Sequence, residues 1–345
     1  MASKGFLLIL IKKGIQELYQ QLMSMSRKLQ YQQLVKAGVL GRLPFIGIDS
    51  LGVEKARVVF QGMEGAYGQA AMKTYFGEDC NSYSVRTFRD AMEAIEEGAA
   101  DYAVLPIENS TAGAVNEVYD LLVEFENYIV GEVIIPITHT LAGLPGTQLS
   151  DLKRVYSKAE ALMQTTRFLE EHSDWQQISV ANTAIAAKKI LDDQDRTQAA
   201  VCSAYAAKVY GLEVLEDNIN DEFGNSTRFI IVTNQKVFLK GGQRRSVFAL
   251  RFPHESGSLY HLLSHFIYND LNMSKVESRP IEGRSWEYRF FVDFEGNLEE
   301  PGVKNALRGL REESRSLKIL GKLLTPVWEC RTLSNWKRIC IKRKS

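Results

Sequence analysis

The chain has 345 residues, of which 45% are hydrophobic and 24% charged, with 42 basic and 42 acidic side chains. A formal net charge of zero excludes a nucleic-acid binder working through bulk charge, and the length admits two or three domains. Cys80, Cys202, Cys330 and Cys340 form no CxxC pair, which argues against a structural zinc site or a disulfide framework and for reduced thiols. Residues 6–11 are apolar but shorter than the roughly 7–15 residues of a signal h-region. No run approaches the roughly 20 apolar residues of a membrane span. The expectation is a cytoplasmic protein with no membrane or nucleic-acid partner.

Residues 1–40 read as one helix, because Ile15, Leu18, Leu22, Met25 and Leu29 recur at three- and four-residue spacing. A glycine-rich linker follows over 38–52. From there short apolar runs alternate with helical periodicity. Strands are predicted at 57–61, 82–85, 102–106, 154–156, 178–180, 199–201 and 228–232. Helices are predicted at 66–76, 88–97, 115–125, 159–171, 183–191 and 203–210. Such alternation implies βαβ units, a mainly parallel sheet and an α/β class, with two lobes around a cleft suited to a small molecule. After a second linker over 234–245, strands at 246–252, 273–280 and 286–294 and helices at 259–269 and 301–314 approach a ferredoxin-like βαββαβ unit. Residues 322–345 hold basic residues and no strong periodicity, and read as a poorly packed tail.

Three segments carry chemistry. The run Gly62-Met63-Glu64-Gly65-Ala66-Tyr67-Gly68 follows a strand and opens a helix, where free N–H groups meet an anion. It reads equally well as a tight strand-to-helix turn. The run Pro106-Ile107-Glu108-Asn109-Ser110-Thr111 ends a buried strand, where open α/β sheets bind ligands, although Asn109, Ser110 or Thr111 also suit a helix cap. In Asn225-Ser226-Thr227-Arg228-Phe229, Arg228 suits a carboxylate and the Thr227 hydroxyl can donate a hydrogen bond; taken alone, the segment also suits a surface turn.

In this order and spacing, and with Asn182-Thr183 before a helix, the segments resemble the prephenate dehydratases from about residue 57 to 232. The resemblance continues over 246–321 into a phenylalanine-sensing ACT domain. It implies a two-lobed, periplasmic-binding-protein-like catalytic fold over 57–233 and the decarboxylating dehydration of prephenate in phenylalanine biosynthesis. Arogenate dehydration and a non-catalytic amino-acid sensor are the alternatives. By resemblance, Thr227, Asn109, Gln164 and Ser157 are catalytic, although Ser157 is followed by Lys158-Ala159-Glu160 where the family has His-Pro-Gln. Arg228, Ser110, Thr111, Gly65, Ala66, Tyr67, Asn182, Thr183 and Phe229 would contact substrate. Gly257, Ser258, Leu259, Glu277, Ser278, Arg279 and Pro280 would bind phenylalanine as an allosteric inhibitor. No metal and no cofactor is implied, and a homodimer or homotetramer is expected. Residues 23–31 resemble the last helix of a chorismate mutase, with Arg27 and Gln30 as remnants of a shortened mutase domain.

Overall fold

The computed structural model describes residues 2–36, 44–240, 244–252, 255, 257–281, 283–284 and 286–324. In chain order the elements are α1 (Ala2–Lys36), β1 (Ile46–Ile48), β2 (Arg57–Gln61), α2 (Tyr67–Phe76), β3 (Asn81–Val85), α3 (Phe88–Glu96), β4 (Tyr102–Asn109), β5 (Gly113–Ala114), α4 (Asn116–Glu124) and β6 (Tyr128–Pro136). They continue with β7 (Thr140–Gly143), β8 (Arg154–Ser157), α5 (Ala159–Met163), α6 (Thr166–Glu170), β9 (Gln176–Ser179), α7 (Thr183–Asp193), β10 (Gln198–Cys202), α8 (Ala204–Val209), β11 (Glu213–Glu216) and β12 (Ser226–Thr233). The last are β13 (Val237–Leu239), β14 (Arg244–Arg251), α9 (Ser258–Ile267), β15 (Met273–Pro280), β16 (Tyr288–Glu295), α10 (Pro301–Glu313) and β17 (Ser316–Leu324).

Two compact units result, one from Ser50–Gln235 and one joining Met1–Asp49 to Lys236–Thr325. The first unit is two-lobed. In one lobe β3, β2 and β4 run parallel, and β12 lies antiparallel between β4 and β6. In the other, β9, β8 and β10 run parallel, and β7 and β11 complete the edge. The chain crosses between lobes twice, at 137–139 after β6 and at 217–225 before β12. Both faces of the second sheet are apolar. Tyr156, Ala200 and Cys202 pack on one side with Ala186, Ala187 and Ile190 of α7, while Val155, Ala199 and Val201 pack on the other with Leu169 and Trp175. Alternate residues of a strand address opposite faces, so these short apolar runs need cover on both sides.

The second unit holds a four-stranded sheet in the order β15-β16-β14-β17. Helices α9 and α10 close it with a core of Phe248, Phe266, Phe294, Val292, Leu262 and Leu307. β17 extends the expected fold to Leu324, pairing with β14 from Ser316 onward, so Lys322, Leu323 and Leu324 belong to a strand and not to the tail. The rest of the expected tail lies outside the described residues. Inside both expected linkers, β1 and β13 form a parallel ribbon, Ile46 beside Val237. Strands of three residues give too short an alternation to be seen in sequence. No helix among the described residues is long and apolar enough to cross a membrane.

Candidate active site

Thr227 and Asn109 face one another across the β12–β4 pair. Asn109 sits where β4 ends, and its Oδ1 accepts the backbone N–H groups of Thr111 and Ala112 at 3.0 and 2.8 Å. A backbone amide can only donate, so these two bonds fix which end of the Asn109 carboxamide is oxygen. Its Nδ2 must therefore donate. It does so to Thr227 Oγ1 at 2.9 Å, to Asn225 Oδ1 at 2.8 Å and to the Ser226 carbonyl at 3.1 Å.

The rest of the cluster inherits this polarity. With its Oδ1 accepting, Asn225 donates from Nδ2 to Gln164 Oε1 at 3.2 Å. Gln164 Oε1 also lies 3.0 Å from His139 Nε2, so that nitrogen carries the proton and Nδ1 is bare. Nδ1 is buried with no hydrogen-bond partner among the described residues. Burial lowers the His139 pKa below its usual value, the bond to Gln164 opposing it, so the ring is neutral at physiological pH. Ser110 joins through its Oγ, which accepts from Ser226 N–H at 2.9 Å. The site thus draws on both lobes and both crossovers: Asn109 and Thr227 from one sheet, Gln164 from the other lobe, His139 and Asn225 from the crossovers.

Gln164 reaches the cluster because the helix expected over 159–171 is broken. α5 stops at Met163 and α6 starts at Thr166. The buried Thr165 hydroxyl donates back to the Ala161 carbonyl at 2.9 Å, competing with the helical ladder. Asp221 then caps α6, accepting from Thr166 and Arg167 N–H at 2.8 and 2.9 Å, while its own N–H donates to the Gln164 carbonyl at 2.8 Å. His139 is held in the same way, its N–H donating to Asn220 Oδ1 at 2.6 Å.

Several expected contacts stand elsewhere. Arg228 lies on the face of β12 opposite Thr227, where its Nε donates to Glu132 at 2.7 Å and its Nη1 lies 3.6 Å from Glu108. Its guanidinium pairs with two carboxylates of this chain, where the resemblance implies a substrate carboxylate. Consecutive strand residues point to opposite faces, so Thr227 and Arg228 meet different surroundings. Phe229 is buried in the sheet core. Ser157 is fully buried, and its hydroxyl donates to the Val201 carbonyl at 2.6 Å, tying β8 to β10. Asn182 caps α7 by accepting from Ile185 N–H at 2.7 Å, with Thr183 as the first helical residue.

Gly65, whose N–H donates to Gln69 Oε1 at 2.8 Å, and Ala66 lead into α2 at Tyr67, and the cap Ala66 offers no side-chain acceptor to the first helical amides. A side chain at Gly65 would come within 3.0 Å of Tyr210 and 3.3 Å of Ala206 of α8, so the close approach of the two lobes there requires glycine. The Tyr67 hydroxyl donates to the Thr138 carbonyl at 2.8 Å, and burial raises its pKa far above the usual phenol range. Cys202 is buried behind it with its thiol pushed up to about 12, which makes it inert. No group of three or more His, Cys, Asp or Glu side chains among the described residues is arranged to hold a metal.

The roles of His139, Asn220 and Asp221 escaped sequence reading, since a lone histidine and two loop residues give no pattern. Asn225 lay inside a motif already singled out, two residues before Thr227, yet carried no assigned role. In the second unit, Gly257 (φ 89°) precedes α9, and Ser258 Oγ donates to the Glu255 carbonyl at 2.9 Å. Arg251 at the end of β14 is level with Arg289, which is level with Arg279 of β15. The segments 257–259 and 277–280 therefore share one end of the sheet.

The prephenate dehydratase family profile matches residues 58–237, the whole two-lobed unit apart from its first residues. The chain belongs to the prephenate dehydratase family. A relative from Arabidopsis thaliana, described as arogenate dehydratase/prephenate dehydratase 6, chloroplastic, is 37% identical over 283 residues, covering 77% of this chain and 68% of its own. The solved structure of a prephenate dehydratase from Arthrobacter aurescens in complex with L-Phe is 28% identical with a TM-score of 0.72, covering 84% of this chain and 100% of that one. A structure described as a novel type of quorum-quenching acylase is 32% identical with a TM-score of 0.72, over 78% of this chain and 98% of that one. Membership makes this dehydratase a lyase that acts on carbon–oxygen bonds.

Proposed function

We propose that this dehydratase converts prephenate to phenylpyruvate, with Thr227 donating to the departing hydroxyl. The observation that carries the reading is the fixed polarity of the cluster. Thr227 Oγ1 accepts from Asn109, so its own proton is turned away from Asn109 and toward a ligand. In the reaction the ring carboxylate leaves as carbon dioxide, and its carbon–carbon bonding pair moves into the ring. The ring carbon–oxygen bond breaks, and the hydroxyl takes one proton to leave as water. The pair released at the carboxyl carbon replaces the pair that leaves with the ring oxygen, so the reaction is redox-neutral overall and no external oxidant or reductant enters the balance. A hydrogen bond that strengthens as the oxygen gains charge contributes about 10²–10⁴-fold. Gln164 Nε2, which has no acceptor among the described residues, is placed to hold the substrate beside Thr227. The uncapped amides at the start of α2 suit a substrate carboxylate, since they carry positive partial charge.

Acyl hydrolysis is less suited to this arrangement. A threonine nucleophile needs a base on its hydroxyl, whereas His139 is separated from Thr227 by Gln164 and Asn225. In the second unit, phenylalanine would bind at the sheet end where Gly257, Ser258 and Leu259 meet the level of Glu277, Ser278, Arg279 and Pro280. An inhibitor there acts by favouring a less active arrangement. The deciding experiment is an assay of phenylpyruvate formation from prephenate beside phenylalanine formation from arogenate, with wild type and Thr227→Ala. Turnover of prephenate that survives Thr227→Ala unchanged would remove Thr227 from the mechanism; exclusive turnover of arogenate would replace the substrate.

A further inference from the structure

We infer that α1 pairs with α1 of a second copy of this chain along a heptad seam. Ile11, Ile15, Leu18, Leu22, Met25 and Leu29 follow one another at steps of four, three, four, three and four. This is a 3.5-residue repeat with Ile15, Leu22 and Leu29 in one core position and Ile11, Leu18 and Met25 in the other. The seam ends where Gln32 and Lys36 take the next two core positions.

The helix sits with this stripe outward. All six side chains are 48–62% exposed. The other side faces the helices of its own unit: Glu17, Gln20, Met23 and Arg27 line a cavity of about 370 Å³ shared with His261 and Glu313, and at its edge Gln21, which flanks the stripe, donates from Nε2 to Tyr260 Oη at 3.3 Å. An amphipathic helix ordinarily buries its apolar stripe and leaves its polar face in water. Here the order is reversed, so the apolar stripe awaits cover.

Two features select a second copy as that cover. The six side chains expose roughly 700 Å² per chain, more than the patch a monomer usually leaves in water and near the ~800 Å² per partner of a standard interface. In a parallel, in-register pair the flanking positions bring Gly14 beside Tyr19, Gln21 beside Ser26, and Lys28 beside Gln33. No like charges meet, and the core positions are self-complementary because each meets its own counterpart.

The test uses the full chain with cysteine placed in or out of the seam. Leu22→Cys sets equivalent thiols face to face and is expected to give a dimer joined through residue 22 under mild oxidation, identified by peptide mass. Gln20→Cys, on the polar side, is expected to give none. Adding Leu18→Ala to Leu22→Cys keeps a strong helix former in place and is expected to lower the yield at least several-fold. Dehydratase activity of each variant reports that the catalytic unit is folded, and helicity by circular dichroism that α1 persists. A Leu22→Cys chain that does not cross-link at residue 22, or that cross-links no better than Gln20→Cys, overturns the inference.

Discussion

The two faces of β12 are built from opposite materials. One carries Thr227 in a cluster of neutral groups, Asn109, Asn225, Gln164 and His139, whose donor and acceptor ends are set by two backbone amides. The other carries Arg228 between Glu132 and Glu108. The charged face is the more conspicuous in sequence, and it is the one that serves the fold. The neutral face is a directed chain of hydrogen bonds that ends on one hydroxyl. The contrast shows that neighbouring residues of one strand can belong to quite different surroundings, because strand geometry sends their side chains to opposite sides.

The contrast is broken most severely at Thr227. Thr227→Ala is expected to lower kcat for dehydration by about 10²–10⁴-fold with little change in the urea midpoint, while Thr227→Ser retains most activity. On the other face the sign of the result reverses. Arg228→Leu removes the 2.7 Å ion-pair partner of the fully buried Glu132 side chain and is expected to cost about 3–5 kcal/mol in urea unfolding, with kcat per folded molecule changing far less. Arg228→Leu with Glu132→Leu should recover much of that loss, and a double mutant as unstable as the single would show that the pair is not the source.

Asn109→Asp sharpens the comparison, because it keeps shape and reverses polarity. A carboxylate still accepts from Thr111 and Ala112, but its second oxygen takes the Thr227 proton that the substrate needs. A fall in kcat of about 10²–10³-fold is expected, in the range of one lost charge-developing hydrogen bond. The smallest effect concerns pH. His139 has a folded pKa lowered by burial, so the folded state favours the neutral ring. Its contribution to stability is present above the unfolded value and is lost as pH falls through the lowered folded value. Stability to urea should fall on acidification over that window, and His139→Gln should flatten that part of the profile.

The alternation of strands and helices over 57–232 was legible because apolar runs covered on both faces are the plainest signal of a doubly covered sheet. Strand β6 was not, since Gly131 and Glu132 interrupt it; its place is set by pairing with β12. The division of 159–171 into two helices was hidden for a related reason. Thr165 and Asp221 break it through bonds to groups that are either local or distant, and no periodicity records them. Asn109, Thr227 and Gln164 were legible as a set through resemblance. Their arrangement depended on crossover residues, His139 and Asn225, that only the folded chain brings near.

Asp221 joins two parts of the site. Its carboxylate holds the first turn of α6 and its N–H holds Gln164, while four residues later the same crossover supplies Asn225 to the opposite lobe. The loop therefore ties two things together: it holds the helix end that carries Gln164, and it supplies Asn225, the partner of Gln164. A substitution at Asp221 is therefore expected to disturb the first turn of α6 and the Gln164–Asn225 contact together.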